Sequence, residues 1–316
     1  MNWSMSDSIN EVNTVFEQPW WLDAVAPGSW DCAIIKDGDS IVARWPYIKT
    51  RRLGFRLYGK PVCTQTLGPW VNCNVTNKIK ALAKKKELYE KLISQLPQKG
   101  SVDLYLDSSV EYFLPFHWAG FRVEPTLSYR FSDLSDLDAI FKGVKDSRRT
   151  VIKNAAKSLT VSESKDISIL IEMQKKTFSR QKRSLPISED VIKRLNDACT
   201  EHQACFMLVA SDCEGHIHAA SYFVYDSNVC YYIMSGADTE FRNSGAGSLL
   251  IWEGIKRAAQ LSKAFDFEGS NIADIEMNFR SFGAPFVVNY RVSRLNFILA
   301  AFDFFKPKIK HFIGYK

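Results

Sequence analysis

The hydrophobic and polar positions of this chain follow two periods, and their succession predicts a mixed α/β fold. Apolar residues that alternate with polar ones predict strands at residues 30–36, 40–49, 121–131, 204–210 and 216–225. Apolar residues three and four positions apart predict helices at residues 77–96, 167–178 and 189–198. Asp37-Gly38 and the run from Asp212 to Gly215 separate pairs of strands, as turns of β-hairpins do.

The two halves of the chain repeat the same coarse order of elements, and this order predicts two domains. Each half begins with a helix, continues through a hairpin of apolar strands and ends with further helices and strands. A chain of 316 residues is long enough for two domains. We expect an N-terminal domain at residues 1–132, a basic linker helix at 133–160 and a C-terminal domain at 161–316.

Charge and cysteine content narrow the possible partners and the compartment. The net charge of +6 is mild, and acidic residues are interleaved with the basic ones, which favours anionic ligands over DNA. The seven cysteines include no Cys-x-x-Cys pair, as expected of reduced, buried thiols. No signal-peptide pattern and no apolar run of about 18 residues occur, so we expect a cytoplasmic protein.

A glycine-containing turn lies between a predicted strand at residues 228–235 and a predicted helix at 248–261. Another short strand is predicted at 263–268, so the unit suits a parallel crossover. Glycines let a ligand approach the backbone, and amides at a helix N-terminus favour an anion, although an ordinary turn before a helix has the same pattern. The turn and the start of the helix comprise Arg242, Asn243, Ser244, Gly245, Ala246, Gly247 and Ser248.

This strand, Arg-x-x-Gly-x-Gly turn and helix resemble the acyl-CoA signature of the GNAT acyltransferases. The wider chain is similar to the Fem-type, double-GNAT branch. The similarity comes from Trp20-Trp21, Gly68-Pro69, the basic segment at 147–157 and the segment at 265–285, where Phe279-Arg280 is followed by Phe282-Gly283.

The resemblance implies an α/β fold of two GNAT-like domains, each with a mixed, mostly antiparallel sheet flanked by helices. It implies an N-acyltransferase that moves an acyl group from acyl-CoA, first of all acetyl-CoA, to an amine of a nucleotide sugar, a polysaccharide or a cell-wall precursor. It assigns the coenzyme A pyrophosphate to the turn at 242–248. The coiled-coil arm of several tRNA-dependent members is absent, so aminoacyl-tRNA is an alternative donor that we do not favour. A catalytically silent GNAT-fold binding protein is a further alternative.

Acyl transfer to an amine needs a general base and a proton donor. Asp266 and Glu268 lie at the end of the strand that follows the turn's helix, where alternation would put them on one face. Either is a candidate base; alternatively, one caps the following segment or pairs with Arg280. Tyr232, on the preceding strand, is a candidate donor to the leaving thiolate, or simply a half-buried strand residue.

Several further side chains are candidates for substrate or metal binding. Substrate-binding candidates are Arg280, Phe279, Tyr222, Arg148 and Arg149. Arg148 and Arg149 belong to a basic ridge, which could equally be a solvated helix face. His216 and His218 share a strand face but have no third ligand at a suitable spacing, so no metal is expected. The tail at 295–316 combines an aromatic run with lysines, which suits packing on the second domain or peripheral contact with a membrane.

Overall fold

The computed structural model describes residues 9–180, 182–269 and 273–312, with side chains up to residue 304. It divides into two compact units. The first contains the described residues up to Thr126 and those from Asn289 onward, and the second is Leu127–Val288. The predicted domain boundaries at residues 132 and 160 stay a prediction.

The elements follow one another in the mixed order that the sequence predicts. The strands are β1 (Trp30–Asp37), β2 (Ser40–Arg52), β3 (Phe55–Gly59), β4 (Trp70–Val71), β5 (Ser101–Leu106), β6 (Arg122–Phe131), β7 (Thr160–Glu163), β8 (Cys205–Ser211), β9 (Ile217–Tyr225), β10 (Val229–Ala237), β11 (Ala264–Asp266) and β12 (Phe286–Arg294). The helices are α1 (Pro19–Val25), α2 (Lys78–Gln95), α3 (Leu114–Trp118), α4 (Leu137–Gly143), α5 (Asp146–Ser158), α6 (Ile167–Arg180), α7 (Glu189–Glu201), α8 (Ala246–Ala258), α9 (Ala273–Arg280) and α10 (Phe297–Phe312).

In the first unit the strands lie in the order β1, β2, β3, β5 and β12, with β4 paired to β2. Only the β3 and β5 pair is parallel. The pairing of Asp37 with Ser40 confirms the predicted hairpin. Asn77 caps α2 by accepting hydrogen bonds from the amides of Ile79 and Lys80, which explains where this helix begins.

In the second unit the order is β7, β8, β9, β10, β11 and β6. β10 and β11 are parallel and are joined through α8, which confirms the predicted crossover, while the other pairs are antiparallel. The core of this unit contains α8 residues such as Leu250 and Ile255 together with Phe223 and Phe265. Mostly antiparallel sheets flanked by helices confirm the predicted fold class.

Three local predictions need correction. The basic linker predicted at 133–160 is not one helix, because Val144 is extended (ψ 137°) and separates α4 from α5. The strand predicted at 263–268 ends at Asp266, because the backbone of Glu268 is left-handed (φ 54°). The cysteines, all in the described ranges, form no disulfide, yet only Cys199 and Cys230 are buried.

Within the described residues, no helix is both long and apolar enough to cross a membrane.

Candidate functional site

β10 runs beyond its parallel neighbour, which exposes part of one strand edge. The two strands pair at Val229, Cys230 and Tyr231, and the last pair joins Tyr231 to Asp266. β10 continues to Ala237, while in the described part of the chain β11 contributes no further pair. A β-bulge at Ile233 interrupts the pairing with β9 on the other side. Backbone groups of residues 232 to 236 that point away from β9 are therefore available to an extended ligand.

Helix α6 fixes the end of β10. A Cβ atom on Gly236 would lie 2.3 Å from the backbone nitrogen of Gln174, so the helix packs directly on the strand. The amide of Ala237 donates to the Thr177 hydroxyl at 2.9 Å. The Lys176 ammonium pairs with Asp238 at 2.7 Å, at the start of the loop that leads to α8. The beginning of this loop is therefore firmly anchored.

Two histidines hold the middle of the same loop. The imidazole of His218 stacks on the ring of Phe241 with centroids 4.0 Å apart and planes at 2°, and His216 stacks at 5.7 Å. Oδ2 of Asp212 contacts a ring nitrogen of each histidine at 3.1 Å. Burial would raise the pKa of Asp212, but hydrogen bonds from His216, His218 and Glu214 lower it to about 2. These imidazoles thus support the loop, and no group of three or more metal-binding side chains occurs in the described ranges.

The predicted turn forms the N-terminus of α8. Gly245 is its N-cap with φ 79°, a conformation that favours glycine, and a Cβ there would lie 2.8 Å from Cγ1 of Val151. A Cβ on Gly247 would meet nothing within 4 Å. The first-turn amides have no acceptor within the helix, and they are backed by its dipole. Around them Arg242, Asn243 and Gly247 are exposed, Ser244 and Gly245 are half-buried, and Ala246 and Ser248 are buried.

The guanidinium of Arg148, on α5, lies beside this helix end. It donates to the hydroxyl of Ser248 at 2.5 Å, to the hydroxyl of Ser281 at 2.9 Å and to Oδ1 of Asn278 at 2.6 Å. Its three partners are all neutral, and partial burial lowers its pKa. A cation and the positive end of a helix dipole therefore lie side by side, and Arg148 has no carboxylate partner among the residues that the structure describes. An anion would stabilise this arrangement.

The two candidate carboxylates have different surroundings. Asp266 is fully buried; its Oδ2 accepts from Nε of Arg130 at 2.7 Å, and its Oδ1 accepts from the Ser128 hydroxyl at 2.5 Å. Oδ1 also accepts from the amide of Glu268 at 2.7 Å, which is the capping arrangement left open by the sequence. Glu268 lies beyond the strand and is half-buried. The two do not share a strand face.

Tyr232 faces an aromatic cluster near these carboxylates. Its ring lies 6.0 Å from Phe279 and 5.5 Å from Phe223, between centroids. Burial raises the pKa of its phenol, although hydrogen bonds with Ser235 and Ser221 oppose the change. The phenol therefore stays protonated at neutral pH and can donate a proton. Phe279 itself is buried on α9.

The other candidate residues are not gathered at the turn. Arg280 is exposed and pairs with Glu276 at 2.9 Å rather than with Asp266. Arg149 donates to the carbonyl oxygens of Lys142 and Val144, so it closes the end of α4. The phenol of Tyr222 is buried, and this burial is the main reason why its pKa is raised. Interactions with Cys199 and Cys205 raise the pKa further. A buried phenol has no surface to offer a substrate.

A cavity of about 530 Å³ opens beside the loop. It is lined by Lys175, Lys176, Ser179, Arg180 and Thr239. Lys175 pairs with Glu189 at 2.7 Å, and Lys176 with Asp238, so part of the positive charge is already balanced. The cavity is polar and basic.

Sequence reasoning missed three contributors. The bulge at Ile233 leaves no local pattern, because it depends on the register between strands. Ser128 and Arg130 reach Asp266 across more than 130 residues of sequence. The stacking of His218 on Phe241 had a partial signal in the paired histidines, which were considered only as metal ligands and set aside.

Comparison with known proteins identifies the class. Residues 142–271 match the family model described as "Acetyltransferase (GNAT) domain". The structure of FemX resembles this chain with a TM-score of 0.65 at 11% identity, over 91% of this chain and 93% of that one. No curated protein matches the sequence.

Two further solved structures share the fold. The C-terminal domain of a putative lysylphosphatidylglycerol synthetase from Agrobacterium fabrum gives a TM-score of 0.57 at 12% identity, over 91% of each chain. L-PGS from Bacillus licheniformis gives 0.52 at 14%, over 85% of each. The chain thus contains a GNAT acetyltransferase domain at residues 142–271 and shares its fold with FemX, in agreement with the predicted GNAT resemblance and acyltransferase class.

Proposed function

We propose that this chain transfers an acyl group from acyl-CoA, acetyl-CoA first of all, to an amine of a nucleotide sugar, a polysaccharide or a cell-wall precursor. The observation that carries this proposal is the meeting of Arg148 with the N-terminus of α8. A half-buried guanidinium with only neutral partners, next to open helix amides, suits a diphosphate. GNAT domains generally bind acyl-CoA, whose pyrophosphate is such a group.

The turn and the open edge of β10 would each bind a different part of the donor. Amides at Gly247 and Ser248 would receive the pyrophosphate, because a Cβ on Gly247 faces open space. Arg242 and Asn243 are exposed in the preceding loop and could contact the same group. The free edge of β10 from Tyr232 onward would receive the extended amide-containing arm.

Four groups would then share the chemistry. Glu268 is our preferred base for the attacking amine, because Asp266 is occupied by Arg130, Ser128 and the Glu268 amide. The amide at the Ile233 bulge would stabilise negative charge on the thioester oxygen. Tyr232 would return a proton to the leaving thiolate, since its raised pKa keeps it protonated. Asp266 would act as a positioning residue for Glu268.

Acceptor recognition would involve the basic cavity and α9. Arg180 and its neighbours at the loop suit an anionic acceptor such as a phosphate-bearing sugar. Arg280, on α9, and Arg149 remain candidates for acceptor contacts, whereas Phe279 and Tyr222 are buried and would support the fold instead. An acyl-CoA donor would locate the reaction in the cytoplasm.

An alternative donor is aminoacyl-tRNA. It is favoured by the fold shared with two proteins named for lysylphosphatidylglycerol synthesis and with FemX. Such a donor would join an amino acid to a lipid or to a peptidoglycan peptide. It has less support because a diphosphate site is not required for it.

Calorimetric titration with acetyl-CoA, longer acyl-CoAs and CoA tests the donor assignment. Gly247→Trp should abolish CoA binding while the protein still folds, because its side chain would enter open space. Gly143→Trp is the matched control, since Gly143 is also helical with nothing within 4 Å of its Cβ position. If the wild-type protein binds no CoA ligand, or if Gly247→Trp binds as well as the control, the proposal fails.

A further inference from the structure

An apolar surface is exposed on the first unit, where two elements distant in sequence meet. We call it the apolar tip; it consists of Leu53, Phe55, Phe297, Ile298 and Phe302. Leu53 lies in the turn between β2 and β3, Phe55 begins β3, and the other three belong to α10. The guanidinium of Arg52 lies 4.9 Å from the centre of the Phe302 ring, which joins the two elements.

These side chains are large and face solvent. Phe297 is 88% exposed, Ile298 is 50% exposed and Leu53 is 58% exposed. Leu53 also has a left-handed backbone (φ 51°), where glycine or asparagine is the unstrained choice. Neither burial nor the conformation of the turn therefore accounts for a leucine at position 53. Exposed clusters of large apolar side chains usually mark interaction sites.

A basic cavity of about 510 Å³ adjoins the apolar tip. Phe55 lines one side of it, while Leu295 and Asn296, directly before α10, line another. Arg56, Lys99 and Arg294 supply three cations, and no carboxylate is among its lining residues. Nη2 of Arg294 has no hydrogen-bond partner in the part of the chain that the structure describes. The cavity is thus complementary to an anion next to apolar groups.

An adjoining cavity contains one acidic residue, and this residue does not cancel the charge. Glu90 lines that cavity with Arg294, but it pairs with Lys86 at 2.9 Å. Exposed Arg51 lies just before the tip. Together with Arg294, directly before α10, it places positive charge beside both elements of the apolar tip.

We propose that the apolar tip docks on an anionic lipid bilayer, with its aromatic and aliphatic side chains in the interface and a lipid phosphate in the cavity lined by Arg56, Lys99 and Arg294. Apolar side chains ringed by cations are the two features that peripheral membrane binding requires together. A second copy of the chain would present the same cations, so charge repulsion opposes self-association here. The lipid bilayer is accordingly the occupant that fits both features.

Vesicle flotation of the full chain tests the proposal, with no acyl donor or acceptor present, so its outcome is separate from that of the proposed reaction. One set of vesicles contains phosphatidylcholine alone, and the other contains phosphatidylcholine mixed with phosphatidylglycerol. We expect at least about tenfold stronger binding to the anionic set, and a loss of binding as salt rises. Inorganic phosphate should compete only weakly, because it cannot use the apolar tip.

Three variants separate the contributions. Phe297→Ser with Ile298→Ser should weaken binding at least about tenfold without altering the fold, since both side chains are exposed. Arg56→Ser with Lys99→Ser should remove the preference for anionic vesicles. Ile79→Ser is the matched control and should bind as the wild type does, because Ile79 is 82% exposed in the first turn of α2, away from this surface.

Several results would overturn the proposal. Equal binding to both vesicle sets would show that charge has no role in binding. No binding to either set would show that the apolar tip does not dock on a bilayer. If Ile79→Ser lost as much vesicle binding as the double apolar variant, the binding would come from non-specific hydrophobic contact and not from the apolar tip. Sedimentation of the wild type as a dimer that Phe297→Ser with Ile298→Ser dissociates would make the tip a contact between copies.

Discussion

The Arg148 guanidinium donates a hydrogen bond to the Ser248 hydroxyl at 2.5 Å, and so links α5 to the first turn of α8. Ser248 lies in the first turn of α8, and its hydroxyl is uncharged, so it cannot neutralise a cation. The bond therefore orients the positive group toward the helix end without reducing its charge. This pair is the centre of the proposed donor site.

Replacing Arg148 with alanine should weaken CoA binding by about tenfold to a hundredfold, because a charge-assisted hydrogen bond contributes about 1.5 to 3 kcal/mol. Titration calorimetry measures the change. Arg149→Ala is the neighbouring control and should leave affinity unchanged, since Arg149 closes α4. Equal affinity in Arg148→Ala and wild type would exclude the guanidinium from donor binding.

Tyr232→Phe should lower kcat by about a hundredfold with little change in KM, because it removes a proton donor and keeps the aromatic packing. The raised pKa of the phenol predicts that the wild-type rate persists into the alkaline range. Tyr225→Phe, on the adjacent strand, serves as the control. A wild-type rate in Tyr232→Phe would assign the proton to another group.

Gly269→Ala should destabilise the protein by about 1 to 3 kcal/mol through overpacking. The added Cβ would lie 2.3 Å from the carbonyl oxygen of Leu127 and 2.4 Å from Cα of Ser128. Gly247→Ala should have the opposite sign, stabilising α8 by about 0.5 to 1 kcal/mol, because its Cβ meets nothing. Denaturant unfolding of the two variants measures both, and changes of the same sign would contradict the packing seen here.

Stability should fall as pH rises from about 4.5 to about 7, because of Glu17. Burial raises the pKa of this carboxyl from 4.5 to about 7, although hydrogen bonds from Asn13 and Gly68 and the charge of Arg44 oppose the rise. The folded state therefore binds the Glu17 proton more tightly than the unfolded state does. The resulting stabilisation of the folded state is complete below pH 4.5 and is lost as the pH rises through about 7. Its size is on the order of 3 kcal/mol.

Glu17→Gln should flatten this part of the stability profile, because glutamine does not titrate. Urea unfolding at a series of pH values gives the comparison. Glu87→Gln, on the exposed face of α2, should keep the wild-type slope. A profile that is as steep in Glu17→Gln as in wild type would place the titrating group elsewhere.

Local patterns revealed much of this fold. The turn at Gly245 and Gly247 lies between a strand and a helix that are adjacent in sequence, so its position was predictable from spacing alone. Asn77, at the start of α2, and Asp37-Gly38, in the first hairpin, were predictable for the same reason. Each of these signals is contained within a few residues.

What sequence could not provide depends on distant partners. Arg148 belonged to a predicted basic ridge, but only the fold brings it to Ser248, Ser281 and Asn278. The sequence shows only that Asp266 is an acidic residue at the end of a predicted strand. The fold adds its ion pair with Arg130, which residue spacing does not predict. Such contacts follow from strand order and helix packing, which residue spacing does not determine.

The open edge of β10 has a consequence for how this enzyme would respond to mutation. A ligand held by main-chain groups of residues 232–236 would be bound by atoms that almost every amino acid possesses. Substitutions along this strand would then alter stability or packing while leaving the donor in place. If the proposed donor site is right, a screen of all substitutions for lost donor affinity would detect changes at Gly247 and Arg148 but would miss those along β10.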